Sequence, residues 1–374
     1  MEQRLVVRPV RESTSAGRRA VAGLVVLALS AACTQDPQTA RRSPSQASAS
    51  PRPSAGAASP SPTAVLGTGR ATCARGPELS FTATDTGREQ IYLLRASRVT
   101  QVVRLPGFVS DPAWSPNGRR VAFRWFRPSR PAPDVYMANA DGTHLMLLVR
   151  QAAMPAWSPD GRVIAFANLR AGDRGISTVD VAQALRGQGR VRIVTRTSDD
   201  VPEERPFWSP DGDQITFTSH RAGTSDIWIV GVDGSGLRNL TAEDYSLDTN
   251  STWSPDGERI AFGSDRNSSS QFGGDIYVMR TDGSDVRQIT FDDSAYAPAW
   301  SPDGCGIAFN SGVSGTSQIY VMESDGSNIR QLTTAHPDAR GKPTIACCAA
   351  WRLGELGAAM TSFGISSIVP SLTR

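Results

Sequence analysis

Three histidines, His144, His220 and His336, are the side chains of this 374-residue chain best suited to proton transfer or metal binding. Five cysteines offer thiol chemistry: Cys33, Cys73, Cys305, Cys347 and Cys348. Their spacing is not that of a zinc site. Carboxylates are plentiful, but Asp160, Asp211, Asp256 and Asp303 recur once per repeat inside the same short string. A catalytic carboxylate would stand once; one repeated this way serves a turn. The chain has no Gly-x-Ser-x-Gly elbow, no phosphate-binding loop and no dinucleotide fingerprint. No catalytic residue, metal or cofactor is therefore expected.

The elements that position these groups repeat. Trp-Ser-Pro-Asp-Gly occurs at Trp157, Trp208, Trp253 and Trp300, with Trp114-Ser115-Pro116-Asn117-Gly118 as a one-residue variant. A sixth Trp, Trp351, continues the spacing where the turn has decayed, so six of the eight Trp share one position. The gaps are 43, 51, 45, 47 and 51 residues. Periods of this length signal propellers or solenoids. Each period holds a short apolar strand such as Ile215-Thr216-Phe217, then an aromatic one such as Asp226-Ile227-Trp228-Ile229. An Asp-Gly turn and a further strand follow. Helical periodicity is absent apart from Val181 to Leu185. Counting the strand that carries the Trp, each period supplies four strands, one propeller blade. Pro presets φ in the turn, Asp caps it and Gly accepts positive φ at its exit. The Trp reads as packing between blades.

These residues resemble the PD40 repeats of the TolB-like propeller family, over roughly residues 78–353. The resemblance implies an all-β, six-bladed β-propeller of four-stranded blades, closed by the C-terminal strand. Glu78 to Phe81 and Gln90 to Leu93 match the second and third strands of a first blade, and Ala349 to Leu353 is expected to return as its inner strand. Closure removes the free sheet edges. Where the family's namesake carries a small α/β domain, this chain has a different N-terminus. In strand order His144 falls on the face of the Ser-Pro-Asp-Gly turns and His220 and His336 on the other, so the three do not converge.

Arg18 and Arg19 precede the uncharged run Ala20 to Ala32, too short for a stable membrane span. The run ends Leu29-Ser30-Ala31-Ala32-Cys33, which resembles a bacterial lipobox with Ser30 where Leu is usual. Residues 1–32 then read as a lipoprotein signal peptide and Cys33 as the lipid anchor; the alternative is an ordinary secretory signal. Residues 33–77, rich in Ser, Pro and Ala, read as a disordered tether, and 354–374 as a C-terminal tail. Residues 1–32 carry five Arg and two Glu, and 33–78 five Arg and two acids. With 39 basic and 36 acidic residues in all, the body from residue 79 sits near −3. That excludes a strongly basic nucleic-acid face. Outside the cytoplasm disulfides are permitted. Cys73 with Cys347 or Cys348 would staple the closing blade, Cys305 is a competing partner for Cys73, and free thiols are the alternative.

Ligands of propellers usually meet the face built from the second-to-third strand loops and the loops that lead into the inner strands. On it, the residues that differ between copies are Phe108, Asp111, Trp125, Phe126, Arg127, Arg130, Glu204, Arg205, His220, Asp248, Asn250 and Tyr296. Trp125 and Phe126 stand out as two expected exposed aromatics. Arg221 and Arg266 are expected to pair with Asp226 and Asp275 within their own blades. The reading is a monomeric, membrane-anchored, TolB-like scaffold outside the cytoplasm that binds an envelope protein or cell-wall glycan. A propeller lyase or hydrolase acting on a saccharide or peptide is the alternative.

Overall fold

The computed structural model describes residues 78–352, apart from 85–87, 96–97, 198–202, 243–244, 269–272 and 336–343. The expected signal peptide, the expected anchor Cys33 and the expected tether, with Cys73, His336 and the tail, lie outside the described residues. Blade 1 holds β1 (Glu78–Ala83), β2 (Gln90–Arg95) and β3 (Arg98–Gln101). Blade 2 holds β4 (Phe108–Trp114), β5 (Arg120–Phe126), β6 (Asp134–Asn139) and β7 (Met146–Arg150). Blade 3 holds β8 (Ala152–Trp157), β9 (Val163–Asn168), β10 (Gly175–Asp180), the short helix α1 (Val181–Leu185) and β11 (Val191–Ile193). Blade 4 holds β12 (Glu204–Trp208), β13 (Gln214–Ser219), β14 (Asp226–Gly231) and β15 (Arg238–Asn239). Blade 5 holds β16 (Asp248–Trp253), β17 (Arg259–Ser264), β18 (Asp275–Arg280) and β19 (Arg287–Gln288). Blade 6 holds β20 (Ala295–Trp300), β21 (Gly306–Ser311), β22 (Gln318–Glu323) and β23 (Arg330–Gln331). The last strand, β24 (Ala346–Arg352), pairs antiparallel with β1, from Glu78 opposite Arg352 to Ala83 opposite Ala346. Six four-stranded antiparallel sheets result, and their innermost strands touch in a closed cycle.

The turn from the inner strand to the next has one chemistry. The Ser209 hydroxyl donates to Asp211 Oδ1 at 2.5 Å and accepts from the Gln214 amide at 2.9 Å. Ser158, Ser254 and Ser301 repeat both bonds, and Asn117 replaces the Asp beside Ser115. The turn glycine sits at φ 82° in Gly212, a region unfavourable for a residue with a Cβ. Accepting these hydrogen bonds holds the Asp160 and Asp211 carboxyls below the usual range.

Packing between blades comes from the same repeat. Phe123, Phe166, Phe217, Phe262 and Phe309 are 0% exposed, each burial contributing about 2–3 kcal/mol. The Trp indoles reach back to the preceding blade. Trp157, Trp208 and Trp351 donate to the carbonyls of Ala113, Ala156 and Ala299 at 2.8–3.1 Å. Trp114 and Trp253 donate to the hydroxyls of Ser80 and Thr216. The Trp300 N–H is buried without a partner. Leu79, Phe81 and Tyr92 of blade 1 share a core with Ala308, Ile319 and Val321 of blade 6, which seals the ring. The face carrying the Ser-Pro-Asp-Gly turns is called lower here, and the face where the inner strands start, upper. β1 starts, and β24 ends, at the lower face.

Candidate binding site in the propeller channel

Every inner strand breaks its pairing at the same place. Asp111, Met154, Arg205, Asn250, Ala297 and Cys348 each stand three residues before the repeat Trp, and each has φ between 51° and 58°. The ladders shift register there, for example between Ser110 and Ala113 and between Glu204 and Phe207. A left-handed residue inside a strand is a bulge that re-aims its side chain. Six bulges in a ring place six side chains around a channel cavity of about 390 Å³, to which all six contribute. The bulge is architecture, since every blade has it. What the blades do not share is the residue on it.

Three of the six ring residues carry polar groups that meet buried partners from neighbouring strands. The Asp111 carboxylate is 7% exposed, with Arg124 Nε at 3.0 Å and Arg205 Nη1 at 3.8 Å. Neither Asp111 oxygen has an aligned hydrogen bond, because Arg124 spends its Nε and Nη2 protons on Ser110 Oγ at 2.9 and 2.7 Å. The Asn250 side-chain oxygen is likewise buried without a partner, while its amide donates to Thr249 Oγ1 at 3.0 Å. Burial pushes the Glu89 carboxyl up to about 7, opposed by Arg124 and reinforced by Asp111. Burial raises Glu204 too, against the pull of Arg205 and Arg124. Burial works against the Arg205 charge, but Asp111, Cys348 and Glu204 outweigh it and raise its pKa. Burial lifts the Cys348 thiol to about 12, with Asp111 adding to it. The Tyr296 hydroxyl is raised by burial and lies 2.5 Å from Ser317 Oγ. Such a site offers acceptors on Asp111 and Asn250 and a cation on Arg205 to whatever enters.

The structure therefore brings Asp111, Arg205 and Asn250 to the channel cavity, with Glu204 and Tyr296 close to Arg205, and separates the other expected face residues from it. Trp125 is not an exposed aromatic: it is 9% exposed, donates to the Pro106 carbonyl at 2.7 Å and packs edge-on against Tyr136. Strand alternation explains the correction, since Trp125 points into the blade and Phe126 outward. Phe126 is 38% and Phe108 45% exposed, and they face each other across β5 and β4. Arg127 closes over Trp125 and binds Asp134 at 2.7 Å. Arg130 is exposed on the loop after β5. His220 is half-buried, its pKa lowered by burial. Asp248 is fully buried and held by Arg266 at 3.0 Å. That corrects the expected Arg266–Asp275 pair. Arg221 likewise pairs with Glu203 rather than Asp226. Asp226 and Asp275 instead accept from Asn239 and Gln288 at 3.0 Å each. Each Arg thus reaches inward to the acid at the start of its blade's inner strand.

Cys305 and Cys347 each take part in a disulfide, and Cys348 is free, its sulfur 3.0 Å from that of Cys347. Among the described residues no three His, Cys, Asp or Glu side chains come together as a metal site. Glu89, Arg124 and Met154 were not singled out from the sequence. The signal for Met154 was present, because the position three before each Trp differs in every copy.

Comparison with known proteins agrees with the architecture. Residues 155–346, just over half of the chain, match the family model described as PD40, TolB beta propeller domain. An uncharacterized protein of Agrobacterium fabrum is 26% identical over 247 residues, 59% of this chain and 72% of that protein. The Tol-Pal system protein TolB of Anaeromyxobacter dehalogenans is 42% identical over 45 residues, 12% of this chain and 10% of that one. The crystal structure of TolB from Acinetobacter baumannii superposes with a TM-score of 0.61 at 19% identity, covering 74% of this chain and 66% of that one. At that identity the likeness shows the fold alone. Taken with the six repeats, the closed ring and the family match, the chain belongs to the PD40 TolB beta-propeller family.

Proposed function

We propose that this chain is a non-catalytic scaffold outside the cytoplasm, anchored to a membrane through Cys33, which captures a segment of an envelope protein or cell-wall glycan in its channel. One observation carries the reading. The bulge ring is the place where a strictly repeated architecture presents six different side chains to a common cavity: Asp111, Met154, Arg205, Asn250, Ala297 and Cys348. Acceptors without an aligned hydrogen bond on Asp111 and Asn250 favour a ligand that brings hydrogen-bond donors, and Arg205 favours one that also brings an acceptor or anion. Family membership supports a scaffold role. The chain spans about two thirds of the Acinetobacter TolB structure and a tenth of the curated TolB, so partners of the whole protein come here as part of the proposal.

The test is capture from cell-envelope extract with the full chain as bait, comparing wild type with Arg205→Ala and Asn250→Ala. A component retained by wild type and lost by about tenfold in each variant, with thermal unfolding unchanged, supports the reading. Equal retention by all three moves the site away from the channel. Turnover of a saccharide or peptide by wild type overturns the non-catalytic role.

A further inference from the structure

The upper face is electrically lopsided. Arg88, Arg104, Arg130, Arg150, Arg170 and Arg196 are all exposed, and the chain order of the strands puts every one on the upper rim of blades 1–3. Among the described residues only Arg196 of these six forms an ion pair, with Asp173 at 3.1 Å. The other described acids of this arc are withdrawn from solvent. Glu89 and Asp111 are buried, Asp111 lining the channel, and Asp134 is buried under Arg127. The arc is not a by-product of overall basicity, because the chain from residue 79 is net acidic.

Between these arginines the blade 2 rim carries Phe108 and Phe126, side by side on neighbouring strands and 45% and 38% exposed. Exposed apolar side chains on the lower face behave differently. Leu145, Leu237, Val286 and Ile329 recur at one repeat position and belong to the architecture. The positions equivalent to Phe108 hold Gln151, Leu247 and Ser294 in other blades, and those equivalent to Phe126 hold Leu169, His220 and Asp265. The aromatic pair is particular to the basic half.

We infer that the upper rim of blades 1–3 docks on an anionic phospholipid membrane surface. A small anion needs charges that converge on a point; these arginines sit on separate loops along an arc and converge on none. The loops of one propeller face end near a common plane, so a planar array of negative headgroups meets them together. Interfacial contacts of this kind combine basic side chains with aromatic side chains that dip below the headgroups. Binding through the rim is independent of the channel reading and leaves the channel variants unaffected.

The experiment uses the full chain carrying Cys33→Ser, so that no acyl group contributes, and sedimentation with phosphatidylcholine vesicles with or without about a third phosphatidylglycerol. Wild type is expected to bind only the anionic vesicles and to release as salt rises. The triple variant Arg104→Glu/Arg130→Glu/Arg170→Glu is expected to bind about tenfold or more weakly. The lower-face control Arg119→Glu/Arg162→Glu should bind as wild type. Thermal unfolding of both variants checks folding, and Arg104→Gln/Arg130→Gln/Arg170→Gln, read the same way, decides if the triple variant fails that check. Binding equal on neutral vesicles, equal loss in both variants, or retention by soluble alginate but not by vesicles overturns the inference.

Discussion

Glu89 shows how one buried group ties the channel to solution conditions. It is 6% exposed, and burial moves its carboxyl from 4.5 to about 7. The folded state therefore holds its proton more tightly than the unfolded chain. Its contribution to stability is complete below about 4.5 and is lost as pH rises through about 7. Glu89→Gln should accordingly match wild type at pH 4 and be more stable at pH 8, by up to about 3 kcal/mol. Urea unfolding at the two pH values measures this, and an equal difference at both would show that the charge of Glu89 is not what burial penalises. The turn residues respond in the opposite sense. The Asp160 and Asp211 carboxyls lie below the usual range, so the stability they add is present at neutral pH and lost as pH falls through that range. Ser209→Ala removes the hydroxyl that links Asp211 to the strand amide of Gln214 and should cost about 1–2 kcal/mol at neutral pH in the same assay. Ser209 was legible in the sequence because its string repeats; Glu89 was not, because nothing in a lone Glu before a strand announces that the ring will bury it.

At the scale of elements, the repeat made four strands per blade and the split first blade readable, since each turn carries its own Pro, Asp and Gly. The bulge escaped the reading. A strand inferred from period-two alternation has no place for a left-handed residue, so the side chains of Asp111 and Arg205 were assigned to a face without the geometry that turns them into the channel. The Arg221 and Arg266 pairings escaped for a related reason, because within a blade both a neighbouring strand and the inner strand offer an acid. β24 is the element on which the ring depends. Arg352 at its end pairs with Glu78, donates to the Gly118 carbonyl at 2.8 Å and lies over the Trp114 ring. It thus joins the closing strand to the first and second blades. Arg352→Ala should cost about 2 kcal/mol, through lost charge-assisted bonds and a Glu78 left with Arg95 as its partner. Ending the chain before Ala346 should cost the fold itself, because β1 would keep an unpaired edge and Leu79 and Phe81 would lose their cover. Circular dichroism and gel filtration read both, and a folded monomer from the truncated chain would show that five complete blades and three strands close without β24.

Over the whole molecule the two faces obey different rules. Apart from α1, which replaces the Asp-Gly turn in blade 3, the lower face repeats itself: the same Ser–Asp bond recurs at four turns, and Leu145, Leu237, Val286 and Ile329 repeat around it. A uniform ring gives a partner no means of telling one blade from the next. The upper face does distinguish them, with exposed arginines over blades 1–3 and, over blades 5 and 6, Tyr245 at 99%, Phe291 at 78% and Val313 at 59% exposed. A partner that docks in one orientation needs such asymmetry, and large exposed apolar side chains that break the repeat are where it finds desolvation energy. β1 begins at the lower face. A photo-crosslinking residue placed at Tyr245 or Phe291 should therefore capture an envelope component in intact cells, whereas the same residue at Leu237 or Val286 should capture none. Equal capture from both faces would mean that the repeat positions themselves are read. Capture from the lower face alone would place the entry at the Ser-Pro-Asp-Gly turns, whose Pro116, Pro159, Pro210, Pro255 and Pro302 line the channel cavity.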